Sequence, residues 1–215
     1  MSVWAVVVAA GEGRRFGGPK QLAQLGGRRV LDWSVDAAGA VAAGIVVVVP
    51  AEGLQQVSEA ERGARGILTV PGGATRAGSV RAGLAAVPEA ADIIVVHDAV
   101  RPLASPALFR AVVGAVEGGA DGAIPGLPVS ETLKRVDQGA VVATVDRGDL
   151  VAVQTPQAFR AGILRAAHEG DPEATDDAAL VEAVGGTVVV VPGEDQNLKL
   201  TVARDLILAR ALQRG

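Results

Sequence analysis

Apolar residues fall in short unbroken runs, and segments with helical spacing of apolar positions separate them. Val3–Ala9 is the first run, too continuous for a strand with one wet face, and it predicts a strand buried on both sides. Val30–Ala42 has helical spacing, and Ile45–Val49 reads as a second strand stopped by Pro50. A polar helix is predicted over Gly53–Glu61, a weaker strand over Ile67–Val70, a helix over Thr75–Val87 and a strand over Asp92–His97. Ser105-Pro106 is a helix start, an N-cap followed by proline at the first position, and that helix runs to about Glu117. Ala120–Ile124 is the next strand. This alternation predicts an α/β fold: three layers around a Rossmann-like, mostly parallel, doubly wound sheet.

The rhythm breaks after Pro128. Thr132–Val136 and Val141–Val145 flank Asp137-Gln138-Gly139, which signals a β-hairpin. The chain is therefore read as one domain spanning 1–215 with an inserted arm at about 129–151. A strand at Val151–Gln154, a helix from about Phe159 to His168, another over Asp176–Val184 and a strand at Thr187–Val191 follow. Thr201 is the expected N-cap of a last helix ending near Leu212.

Composition narrows the chemistry. Of 215 residues 49% are hydrophobic but only 2% aromatic, so Val, Ile, Leu and Ala must build the core. A net charge of −4 argues against a nucleic-acid surface, though a few focused cations can still hold a small anion. With no Cys and only two His, thiolate chemistry and Cys/His zinc sites are excluded. The remaining metal chemistry is a hard cation on oxygens, for which Mg²⁺ with phosphate is the natural case. No basic segment precedes the first apolar run, and the uncharged stretch from Ala37 to Ala51 is too short to span a bilayer. A cytoplasmic protein is expected.

The first strand runs into Ala9-Ala10-Gly11-Glu12-Gly13-Arg14-Arg15-Phe16-Gly17-Gly18-Pro19-Lys20. A glycine-rich loop at the carboxyl end of the first strand is where doubly wound sheets take nucleotides, with amides facing phosphate oxygens. The spacing fits neither the dinucleotide fingerprint nor a P-loop, since Lys20 follows Pro and precedes Gln. Arg14, Arg15 and Lys20 suit a triphosphate; a solvated loop is the bland alternative.

Together with the later motifs this loop resembles the 2-C-methyl-D-erythritol 4-phosphate cytidylyltransferase family, nucleotidyltransferases of non-mevalonate isoprenoid synthesis. The matching residues are Ala9-Ala10-Gly11-x-Gly13-x-Arg15 with Pro19-Lys20-Gln21, Gly72-Gly73-x-x-Arg76-x-x-Ser79, and His97-Asp98-Ala99-x-Arg101-Pro102. Beyond them come Pro128-Val129-x-x-Thr132-x-Lys134, Thr144-Val145-Asp146-Arg147, Gln154-Thr155-Pro156-Gln157, Thr175-Asp176-Asp177 and Asn197-x-Lys199-x-Thr201. The resemblance covers nearly the whole chain, and its specificity lies in the order of modest motifs. This sequence departs in a shortened Arg15–Lys20 stretch, in Val100 where alanine is common, and in Ala74 where an acidic residue can occur.

The resemblance implies transfer of CMP from CTP to a polyol phosphate, with Mg²⁺ on the nucleotide. Arg15, Lys20, Arg147 and Lys199 would be catalytic. Ala9, Ala10, Gly11, Gly13, Gly73, Arg76, Ser79, Asp98 and Ala99 would bind the nucleotide, and Asp98, Arg101, Thr132, Arg147, Thr155 and Lys199 the acceptor. Asp98, whose bland alternative is a turn or cap residue, is also the one candidate to touch the metal. The arm would cross to the second subunit of a homodimer and share sites. His97 is read as structural, and His168, at a helix end, as complementing the dipole. Ribitol 5-phosphate is the rival acceptor. A Rossmann oxidoreductase using NAD(P) is the remote rival, and it needs an acidic residue closing the second strand, which Pro50-Ala51-Glu52 matches poorly.

Overall fold

The computed structural model describes residues 1–56 and 66–213. Strand β1 (Val3–Val8) lies between β4 (Gly44–Val49) and β6 (Ile93–Asp98), parallel to both, with Val6 opposite Val46 and Val96. β5 (Ile67–Pro71) extends the sheet beyond β4. On the other side β7 (Gly122–Pro128) carries β12 (Val188–Pro192) parallel along one edge. The valine runs are continuous because these strands are covered on both faces. Val7, Val47 and Val95 pack beneath α1 (Val30–Ala38) and α3 (Pro106–Glu117), which contributes Phe109 to the same core. Val6, Val46, Ile94 and Val96 pack against α2 (Arg76–Ala86), α4 (Ala161–Ala167) and α5 (Asp177–Ala183). The expected fold class holds.

Several expectations are corrected. Gln157–Arg160 is a strand, β11, where a helix was expected from Phe159; it inserts antiparallel between β6 and β7, with Phe159 beside Ile94 and Gly122. An apolar stretch buried on both sides reads alike as strand or helix, and here the open sheet edges decide. The first helix stops at Ala38 rather than Ala42, with Gly39 as its C-cap. A small hairpin, β2 (Gln24–Leu25) and β3 (Arg28–Arg29), precedes it. The last helix, α6 (Ala203–Leu212), is capped at Val202 and not at Thr201, because the Asp205 carboxylate accepts from the amides of both. In place of the polar helix over Gly53–Glu61, Ala51–Gln56 is 3-10 helical, and the remainder lies outside the described residues.

β8 (Leu133–Asp137) and β9 (Ala140–Val145) form a separate two-stranded sheet. Their two-residue turn, Gln138-Gly139, has positive φ at both positions, the type I′ geometry that matches strand twist. β10 (Val151–Val153) then returns the chain antiparallel to β7. Val136, Val141 and Val142 on the hairpin are each more than half exposed. Among the described residues no helix is long and apolar enough to cross a membrane.

Candidate active site

The carboxyl ends of β1, β5 and β6 open on one side of the sheet, and three loops leave from there. They are stitched at their roots: the Ala9 amide donates to Val48 O, Gly72 to Val49 O and Ala99 to Val8 O. In the first loop the Gly13 carbonyl accepts from the amides of Phe16 at 2.8 Å, Gly17 at 3.0 Å and Gly18 at 3.3 Å. This inward fold is the shape of the short Arg15–Lys20 stretch. The amides from Phe16 to Gly18 are thereby already used. Among the described residues the amides from Gly11 to Arg15 have no partner. Gly13 sits at φ +70°, and a Cβ there would lie 1.9 Å from Gly18 O, so the tight turn demands glycine.

Ala10, Gly11, Gly13, Gly73, Arg76 and Ser79 line a cavity of about 460 Å³. Ala9 and Ala99, also expected at the nucleotide, do not line this cavity. Both are buried beneath the strand ends, and the Ala99 carbonyl accepts from Ser34 Oγ. Their small size serves packing under the loops.

A second cavity, about 400 Å³, is lined by Arg76, Asp98, Arg101, Thr155, Asp176 and Lys199 among others. Asp98, at the end of β6, is its electrostatic centre. Its Oδ2 accepts from Lys199 Nζ at 2.6 Å and its Oδ1 from Arg76 Nε at 3.2 Å. Burial works against the charge, but Arg76 and then Lys199 outweigh it and hold the carboxyl well below the usual range. Asp98 is thus anionic and already flanked by cations, which ill suits it as a metal ligand. Among the described residues no group of three or more acidic or histidine side chains is placed to hold a metal ion.

Lys20 sits in the 3-10 turn Lys20–Leu22. Partial burial, then the charges of Lys199 and Arg15, push its ammonium below the ordinary lysine value. Arg15, Lys20, Lys199 and Asp98 therefore share one electrostatic neighbourhood. Lys199 is presented by a clamped loop: Gln154 donates to Glu194 O and accepts from the Glu194 amide, while Asn197 Nδ2 donates to Thr155 O. Arg101 donates to Asn197 O at 2.8 Å, bracing the same loop. Thr155 Oγ1 accepts from the Asp98 amide and meets His97 Nδ1 at 3.1 Å.

Arg147 and Thr132 are not brought to this cluster. Arg147 donates to Ser130 O at the base of the arm. His168 is also corrected: it is buried, and its Nε2 meets Asp177 Oδ1 at 3.0 Å. Asp177, 1% exposed, holds Arg76 through its other oxygen at 2.9 Å. The sequence reading passed over Asp177 and the clamp residues Gln154 and Asn197; all three stand in motifs that carried the resemblance.

The family model for "IspD: 2-C-methyl-D-erythritol 4-phosphate cytidylyltransferase" matches residues 3–214. A Nocardia farcinica protein named 2-C-methyl-D-erythritol 4-phosphate cytidylyltransferase is 45% identical, over 98% of this chain and 94% of its own. A protein of Clavibacter michiganensis named bifunctional enzyme IspD/IspF is 49% identical over 96% of this chain, which spans only 53% of that longer relative. The solved Thermus thermophilus 2-C-methyl-D-erythritol 4-phosphate cytidylyltransferase superposes with a TM-score of 0.82 at 36% identity, covering 100% of both chains. With the glycine loop, the Asp98 cluster and the sheet that positions them, these matches settle that the chain belongs to the 2-C-methyl-D-erythritol 4-phosphate cytidylyltransferase family.

Proposed function

We propose that the chain transfers CMP from CTP to 2-C-methyl-D-erythritol 4-phosphate, releasing pyrophosphate, with the chemistry carried by clustered cations. What supports it most is the ion pairing of Asp98 with Lys199 and with Arg76, which lines the cavity under the glycine loop, and the influence of Lys199, Arg15 and Asp98 on Lys20. An acceptor phosphate has its second pKa near ~6, so at neutral pH it is a dianion and a nucleophile without help. One of its oxygens attacks the α-phosphorus in line; the new P–O bond forms as the bond to the β-phosphate oxygen breaks. No protein base is required, and both histidines are buried in contact with Thr155 and Asp177.

Lys20 and Arg15 neutralise charge on the α-phosphate and on the departing pyrophosphate. Lys199, located by Asp98, takes the acceptor phosphate, with Thr155 and Arg101 along the same wall. Mg²⁺ belongs in this scheme as part of the substrate, bound to CTP. The small residues Ala10, Gly11 and Gly73 leave room for one close-fitting base.

The arm completes the site in a homodimer. Its exposed Val136, Val141 and Val142 form an apolar face that a second copy would cover. Arg147 and Thr132, absent from their own chain's cluster, would then serve the partner's acceptor pocket. The cytoplasm, where nucleoside triphosphates are supplied, fits this substrate demand.

The test offers the purified protein CTP with Mg²⁺ and, separately, 2-C-methyl-D-erythritol 4-phosphate or ribitol 5-phosphate, and measures pyrophosphate release. Turnover with the first acceptor alone is expected, with UTP and ATP poor substitutes and EDTA abolishing the signal. Preference for ribitol 5-phosphate would move the chain to the rival acceptor, and no release with either would refute the reading.

A further inference from the structure

Arg76 is the one residue shared by the linings described for the two cavities. Its side chain is held from behind and from the side. Nη1 donates to Asp177 Oδ2 at 2.9 Å and Nε to Asp98 Oδ1 at 3.2 Å. Burial disfavours the guanidinium charge, but Asp177 and then Asp98 outweigh it and raise its pKa above the ordinary arginine value. Asp177 is in turn fixed by His168, whose Nε2 lies 3.0 Å from Oδ1. A carboxylate only accepts, so Nε2 carries the proton. His168 and Asp177 are too buried to meet a ligand in the nucleotide cavity. An arginine has many rotamers and a strong preference for water, and such a charge in a wall between two cavities needs a buried anion to keep it there.

We propose that Asp177 is a positioning residue for nucleotide binding, acting through Arg76, and that His168 orients Asp177. The chain His168–Asp177–Arg76 sets where the guanidinium stands in the glycine-loop cavity, while Asp98 ties the same guanidinium to the acceptor side through Lys199. The inference rests on reading that cavity as the CTP site. Asp177 enters from the start of α5, about a hundred residues from Arg76 in sequence, so the fold alone brings them together.

The test is a double-mutant cycle read in steady-state kinetics. Asp177→Asn keeps the shape but removes the charge and half of the acceptor capacity. It should lower kcat/KM for CTP by about 10- to 100-fold, mostly through KM, as loss of a charged hydrogen bond predicts. In an Arg76→Met background the same substitution should cost less than about threefold, because the interaction it removes is already gone. Equal losses in both backgrounds would show a merely structural role and overturn the proposal, as would unchanged kcat/KM in the single variant.

Thermal unfolding confirms that each variant is folded at the assay temperature. If Asp177→Asn does not fold, His168 carries the test. His168→Leu should raise KM for CTP, and His168→Gln, which restores an N–H donor, should recover most of the loss. Failure of the amide to rescue, or no effect of His168→Leu, would overturn it by that route. An inactive wild-type protein would instead sink the CTP reading itself, so the two failures are separable.

Discussion

Acid should destabilise this protein through His97, and the size of the effect follows from where the ring sits. His97 is fully buried at the end of β6, with Phe109 at 4.9 Å between ring centroids and Thr155 Oγ1 at 3.1 Å. Thr155 Oγ1 accepts from the Asp98 amide and pairs with His97 Nδ1, the ring's tautomer deciding which of the two donates. Burial lowers the histidine pKa from 6.5 to about 4, the nearby Asp98 opposing and Arg101 assisting. The unfolded chain takes up a proton near pH 6.5 that the folded ring refuses until about pH 4. Across that window the unfolded state binds more protons, so stability falls as pH falls. At about 1.36 kcal/mol per pH unit, the total is about 3 kcal/mol, a large part of a typical domain's margin.

The assay is urea unfolding at pH values from about 7.5 to about 4 for the wild type and for His97→Gln, whose amide can still pair with Thr155. The wild-type curve should fall toward the variant's by about 3 kcal/mol across the window. Every other ionisable group is common to the two proteins and cancels in the difference. Parallel curves would refute the reasoning, because they would mean that the buried ring is charged or that its proton is shared equally by both states.

Lys20→Ala should lower kcat by about 10²-fold or more, since its charge counts most where charge accumulates in the transition state. Its depressed pKa means the fold disfavours that charge, so thermal stability should not drop; a normal kcat would make Lys20 a bystander. Gly13→Ala should inactivate without melting the core, because the added Cβ meets the Gly18 carbonyl and opens the turn that leads to Lys20; full activity would deny that turn a role. Mixing inactive Lys20→Ala and Arg147→Ala homodimers through reversible unfolding should restore activity toward about a quarter of all sites, from two-fold pairing statistics. No recovery despite subunit exchange proven by mass spectrometry would rule out the shared site.

Much of this was legible from local pattern. The strands around β1 announced themselves because burial on both faces demands continuous Val and Ile. Lys20, Asp98 and Lys199 stood in motifs whose order is specific. What escaped depends on distance. Asp177 was visible in Thr175-Asp176-Asp177, but its partners Arg76 and His168 lie on other elements, and no spacing rule joins them. β11 was taken for helix because its environment, two open sheet edges, exists only in the folded chain. Ala9 and Ala99 are assigned to the nucleotide by the resemblance, and their small side chains equally suit residues packed beneath a strand end.

The network also explains how an unliganded site tolerates its charges. Arg76, Arg101 and Lys199 crowd around Asp98 and Asp177, the two buried carboxylates that ion-pair within the cluster, and Lys20 feels Lys199, Arg15 and Asp98. Asp98 and Asp177 between them hold Arg76 and Lys199 in place, and Arg101 is spent on backbone carbonyls. The excess shows at Lys20, whose ammonium is disfavoured by its neighbours before any substrate arrives. A triphosphate entering beside the glycine loop brings the missing negative charge, so its binding relieves repulsion as well as forming contacts. The same relief grows when charge moves onto the leaving pyrophosphate, which is how a loop lysine can act mainly on kcat. A protein with one more carboxylate here would be calmer empty and a poorer catalyst full, because that anion would compete with the phosphates for the same cations.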